Sequence, residues 1–158
     1  MHTPFEIANF FIRKGIEQGV HNDVTPMKLQ KLVYHAHGWY LALYDRALVN
    51  EQIEAWDYGP VVPSLFRSTK EYGNNPVENY IQKSGNPYSP SPTLFEFLDE
   101  IWRIYGDLSG VHLSNMTHEP GTPWDGVYKR YKGKVPRGTD IPEKEIKSWF
   151  QKELEKPD

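Results

Sequence analysis

Ser114 and His118 stand four residues apart in the stretch SNMTHEPGTPW, which ends at Trp124. Side chains at that spacing are neighbours on a helix, so a serine activated by a histidine base is one chemistry the spacing allows. A serine hydrolase asks for more: an exposed nucleophile on a turn, oxyanion donors beside it, and an acid that orients the histidine. No G-x-S-x-G elbow occurs in the chain. Metal binding is the other chemistry to weigh. His112 and His118 are six apart, and His35 and His37 are two apart. Neither pair shares one helix face. There is no H-E-x-x-H and no cysteine, so zinc would need three or four ligands from distant segments. No metal and no cofactor are expected, and His118 has a structural task instead. At the end of a short helix the imidazole can meet free carbonyls and suits the negative helix end. Trp124 opens the next helix, so His118 and Trp124 are expected to clamp a helix–turn–helix corner. A small hydrolase or metal-dependent enzyme using Ser114 and His118 remains a third reading, behind two that involve no chemistry.

Two other stretches are candidates for contact rather than reaction. Tyr58-Gly59-Pro60-Val61, followed by Pro63, comes just after Trp56. Gly-Pro enforces a change of direction there. The turn either packs its aromatics into the core or offers an exposed aromatic corner for docking. Residues 129–137, KRYKGKVPR, carry five cations (Lys129, Arg130, Lys132, Lys134 and Arg137) interleaved with tyrosine. Such a stretch can hold phosphates and stack bases. It can equally face the six acids and single arginine between Leu94 and Asp125, or a charged protein. The net charge of the chain is −3, which gives no basic footprint over the whole domain and disfavours nucleic acid as a partner. No glycine-rich phosphate loop is present.

The elements that must position these residues follow from capping and periodicity. Thr3-Pro4, Thr25-Pro26, Ser91-Pro92 and Thr122-Pro123 each place a capping oxygen before a proline at the first helical position. Helices are expected over about 4–18, 26–44, 62–72, 94–105, 110–117, 124–131 and 142–155. The second is apolar on most of its faces, which predicts a central place in a bundle. Ala47–Val49 and Ile53–Tyr58 read as the strands of a small hairpin turning at residues 50–52. Residues 73–92, rich in Pro, Gly, Ser and Asn, read as an internal loop with one turn at 77–81. Phe66 and Leu154 are expected to point inward. The fold class is therefore mainly α: a compact bundle of six to seven helices with a two-stranded hairpin, in one domain over 1–158 with its core at about 5–150. The chain has 158 residues, enough to bury a full core, and no cysteine, which fits a reducing cytoplasm. No secretory signal or membrane-spanning run is read from it.

Three segments in order resemble one family. MKLQKLVYHAHGWYLALY (27–44), EAWDYGPVVPSLFR (54–67) and LSNMTHEPGTPW (113–124) are similar to the Panacea domain, the SocA-like antitoxin-associated family found in phage and other mobile elements. The resemblance covers roughly residues 5–150. It implies a mostly helical domain that neutralises a toxin encoded beside it, usually by direct binding, and it implies no catalytic residues. One member of the family is an adaptor that delivers its partner to the ClpXP protease, so proteolytic delivery stands as the alternative mechanism. The chain is expected to be nearly the bare domain, without a DNA-binding module. The partner contacts expected are Tyr58, Gly59, Pro60, Val61, Pro63, Lys129, Arg130 and Lys132, with the 73–92 loop beside them.

Overall fold

The computed structural model describes residues 1–81 and 90–157. Seven α-helices are built in chain order: α1 Pro4–Glu17, α2 Pro26–Tyr44, α3 Pro63–Thr69, α4 Pro92–Tyr105, α5 Gly110–His118, α6 Pro123–Arg130 and α7 Glu143–Glu155. Two short strands, β1 Glu54–Trp56 and β2 Gly59–Val61, precede α3. The hydroxyl–proline starts work as caps. The side chains of Thr3, Thr25, Ser91 and Thr122 accept from Glu6, Lys28, Leu94 and Asp125 N–H at 3.2–3.3 Å. In α6 the Asp125 carboxylate reaches back to Gly121 N–H at 2.9 Å, one residue beyond the usual capping-box target. α3 begins without a capping hydroxyl of its own. Glu51 fills the role from a distance, accepting from Ser64 N–H at 2.8 Å and from the Ser64 hydroxyl.

α2 is the axis of the molecule. It packs against α1, α3, α4, α5, α7 and β2, which explains a sequence apolar on most sides. Leu29, Leu32, Val33 and Ala36 are fully buried. Gly38 lets α7 approach: a Cβ there would lie 2.1 Å from the Phe150 ring. Five polar side chains of α2 are also buried, Lys28, Gln30, Lys31, His35 and His37, and most have partners. Gln30 grips the chain just after β2 with both ends of its amide: Nε2 donates to Val62 O at 3.0 Å, and Oε1 accepts from Val62 N–H at 2.8 Å. Lys28 donates to Gly106 O at 2.6 Å, at the end of α4, with its ammonium 5.6 Å above the Trp102 ring. Burial lowers the Lys28 pKa, against the pull of Asp23 and Asp107.

The hairpin lies elsewhere than the sequence predicts. Ala47–Val49 is not its first strand. His2 N–H donates to Leu48 O and Asn50 N–H to His2 O, so Val49 bridges in parallel to the start of the chain. β1 instead pairs antiparallel with β2, in the register Glu54↔Val61, Ala55↔Pro60 and Trp56↔Gly59. The turn is Asp57-Tyr58, and Gly59 supplies the positive φ of 109° that closes it. Gly59-Pro60 therefore belongs to a strand rather than ending one. The outer edge of β1 is covered by residues 139–141: Ala55 N–H donates to Thr139 O and Ile141 N–H to Ile53 O. A two-stranded hairpin is marginal alone, and this cover makes it part of a larger unit.

Two side chains expected inside are on the surface, Phe66 at 41% and Leu154 at 54% exposure. The buried face of α3 carries Leu65 and Thr69, one turn apart, and Phe66 lies off it; its ring packs edge-on against Trp56 instead, with centroids 5.0 Å apart. Residues 77–81 form no helical turn. They run along α1, where the Asn9 amide donates to Ile81 O and accepts from Ile81 N–H, and Val77 N–H donates to Val24 O. The rest of the expected 73–92 loop, residues 82–89, lies outside the described residues. Among the described residues no helix is long and apolar enough to cross a membrane.

Candidate functional site

The β1–β2 turn is an unusual piece of backbone, because its carbonyls face side chains instead of water. Trp124 Nε1 donates to Trp56 O at 2.6 Å. His118 Nε2 lies 3.2 Å from Asp57 O. Ser114 Oγ donates to Tyr58 O at 3.3 Å. Lys31 Nζ donates to Pro60 O at 3.1 Å. A fifth contact holds the turn by its side chain: the Tyr128 hydroxyl donates to Asp57 Oδ1 at 2.7 Å. That bond raises the Tyr128 pKa. The donors come from α2, α5 and α6, so three helices converge on one five-residue stretch.

Local chemistry sets each donor in place. His118 is the last residue of α5, and its Nδ1 lies 2.6 Å from Ser114 O, one turn back. Both ring nitrogens thus meet carbonyls, which only accept; a neutral ring donates to one of them. Thr117 and Thr122 tie down the bend itself. Thr117 Oγ1 donates to Ser114 O at 2.7 Å, and Thr122 Oγ1 meets Thr117 O and Glu119 O at 2.9 and 2.8 Å. The rings then follow one another in a file, the first pair tilted and the second stacked. His118 and Trp124 have centroids 4.2 Å apart, and Trp124 lies 4.3 Å from Tyr128 at an interplanar angle of 22°.

Lys31 is the most exacting member. It is 1% exposed and has no ion-pair partner among the described residues. Burial pulls its pKa down to about 8. Gly59 sits against this whole group. A Cβ there would lie 2.9 Å from Thr117 Oγ1, 3.1 Å from His118 Cε1 and 3.1 Å from Lys31 Nζ.

Ser114 and His118 do not share a proton in this arrangement. The serine hydroxyl, on a residue 8% exposed, turns to Tyr58 O, and the imidazole turns to Ser114 O and Asp57 O. Among the described residues no group of three metal-ligating side chains comes together.

The expected partner residues scatter by depth. Gly59, Pro60 and Val61 are buried, Pro63 is half-buried, and Tyr58 is 70% exposed. Trp56 is half-buried beside it, its indole N–H donating to Glu54 Oε1 at 3.0 Å. In the basic stretch, Lys129 pairs with Asp125 at 3.0 Å, and Arg130 makes two bonds to Glu145, at 2.9 and 2.7 Å. Lys132 follows at a left-handed position, φ 53°. Lys31 and Gln30 escaped sequence reasoning as members of this site. The signal was there, in a lysine and a glutamine set inside a helix apolar on most sides, but what they hold lies some thirty residues further along.

The three sequence segments that carried the resemblance are thus three parts of one clamp: α2 gives Lys31, the hairpin gives the carbonyls, and α5–α6 gives Ser114, His118 and Trp124. The family model for the antitoxin SocA-like Panacea domain matches residues 29–125, which takes in Lys31, the hairpin and the α5–α6 corner. This chain belongs to that family. Antitoxin SocA of Caulobacter vibrioides (strain NA1000 / CB15N) is 30% identical over 153 residues, covering 92% of this chain and 80% of that protein. No solved structure matches the chain.

Proposed function

We propose that this Panacea domain is an antitoxin that neutralises a cognate toxin by binding it directly, and that the clamped β1–β2 turn is its docking element. The family and the relative named antitoxin support a toxin as the partner. One observation carries the rest: the backbone of residues 56–60 is fixed by side chains from three helices, while the side chain it projects, Tyr58, stands 70% exposed. An exposed tyrosine on a rigid backbone loses little entropy on binding, which is how a small contact gains affinity. Pro63 and Lys132 flank the reading as further surface contacts. Neutralisation is by occlusion, the bound domain covering the toxin's working surface.

The experiment is co-expression with the protein encoded by the adjacent gene. Growth should recover and the two proteins should co-purify. Tyr58→Ala should leave the antitoxin folded, with an unchanged thermal melt, and weaken the complex at least tenfold. Toxin levels should stay constant during rescue; a shortened toxin half-life would replace occlusion with proteolytic delivery. Failure of the wild-type chain to rescue or co-purify removes the antitoxin reading.

A further inference from the structure

Beside the projecting tyrosine the surface forms a groove of about 290 Å3, with Trp56 and Tyr58 on one wall and Val135, Pro136 and Arg137 on the other. Through the Trp56–Phe66 contact the aromatic wall continues outward to a ring that is 41% exposed. The volume lies at the small end of the roughly 300–1,000 Å3 of small-molecule sites, room for one large side chain.

The charges around this groove are of two kinds. The carboxylates are already engaged by neutral donors: Glu54 by the Trp56 indole and Asp57 by the Tyr128 hydroxyl. The cations are not. In the basic stretch Lys129 and Arg130 are held by Asp125 and Glu145, but Lys132, Lys134 and Arg137 make no ion pair among the described residues; all three are exposed, Arg137 lines the groove, and Lys134 precedes its Val135 in the chain. Exposed cations beside an apolar wall recruit an acidic segment with an apolar anchor, since complementary charge steers docking and the buried anchor holds it. Phosphate is the poorer match, because it brings no apolar group to the wall formed by Trp56 and Tyr58.

Resting on the antitoxin reading, we infer that the groove between the β1–β2 turn and residues 135–138 receives an acidic segment of a protein partner, its large apolar side chain lodged between Trp56 and Pro136 and its carboxylates on Arg137 and Lys134.

The test needs no knowledge of the partner. A displayed library of random twelve-residue peptides is panned against the full chain, and the enriched peptides are synthesised with a fluorophore for anisotropy titration. Enriched sequences should be net negative around a leucine, isoleucine, phenylalanine or tryptophan. Their affinity should fall at least tenfold with Tyr58→Ala and with Arg137→Glu, both exposed positions, and they should shift the Trp56 indole proton in NMR spectra. Affinity should also drop several-fold between 50 and 200 mM salt. No enrichment, enrichment of neutral or basic peptides, or binding that survives both substitutions overturns the inference. So does a twelve-nucleotide oligonucleotide whose binding Arg137→Glu abolishes, or a dimer in sedimentation that Tyr58→Ala dissolves. These results leave growth rescue by the wild-type chain untouched, so the groove and the antitoxin reading fail separately.

Discussion

Gly59 is the residue on which the clamp closes. Its φ of 109° is open to glycine and strained for anything else. A methyl group would also press on Thr117 Oγ1 and the His118 ring. Gly59→Ala should therefore cost about 1–3 kcal/mol from backbone strain, read as a lower denaturant midpoint with an unchanged slope. Lys31 gives a prediction of a different kind. Its pKa is about 8 in the folded chain and near 10.5 when unfolded. Between those values the unfolded chain holds a proton that the folded chain has released, so stability rises with pH across the window. The rise amounts to about 3 kcal/mol at 1.36 kcal/mol per unit. Subtracting the curve of Lys31→Met from that of the wild type isolates it from other groups, including Tyr34, whose buried hydroxyl has its pKa raised. A flat difference between pH 8 and 10.5 would refute the assignment. His118 and Trp124 were visible in the sequence because they sit at a helix end and a helix start, where local rules apply. Lys31 was not, since nothing local says that a lysine four residues before His35 is spent on a carbonyl at residue 60.

At the scale of elements, the helices were legible because their starts are written locally. The hydroxyl–proline pairs act as caps, and α2 begins and ends at the residues its sequence predicts. The hairpin was misplaced because both 47–49 and 59–61 are short and strand-compatible, and only the long-range partners decide between them: His2 for Val49, β1 for β2. α2 itself holds a testable consequence. His35 Nδ1–H donates to Lys31 O at 2.7 Å, with the ring against Tyr105 at 4.5 Å. His37 Nδ1 accepts from Val49 N–H, which leaves its proton on Nε2, 3.7 Å from Glu143 and beyond hydrogen bonding. Burial pulls both imidazoles down to about 4. For His37, desolvation outweighs the carboxylate at that distance. Between pH 6.5 and 4 the unfolded chain takes up protons that the folded chain refuses, so stability falls as pH falls. The loss is about 3 kcal/mol per ring at 1.36 kcal/mol per unit. His35→Leu should remove about half of the combined histidine loss, seen as a shallower slope of unfolding free energy against pH. An unchanged slope would place the acid sensitivity elsewhere.

At the scale of the molecule, the β1–β2 turn and helix α7 both pack on α2. Lys31 and Gln30 reach from α2 to the hairpin, and Phe150 of α7 fills the notch left by Gly38, wedged among Tyr34, His35 and Trp39. One continuous set of buried apolar side chains runs through both regions. With one core shared by both regions among the described residues, the chain should unfold in a single step. Phe150→Ala tests the coupling from α7. Phe150 is fully buried, so its truncation should cost about 3–5 kcal/mol. For a chain of this size that lowers Tm by about 6–20 °C. The cooperative expectation is stricter than the size of the drop. The Trp56 indole signal, from the hairpin, should disappear at the same lowered temperature as the far-UV helix signal. If the indole outlasts the helices, or vanishes well before them, the clamp is not locked to the bundle, and the rigidity that makes Tyr58 a good anchor has another source.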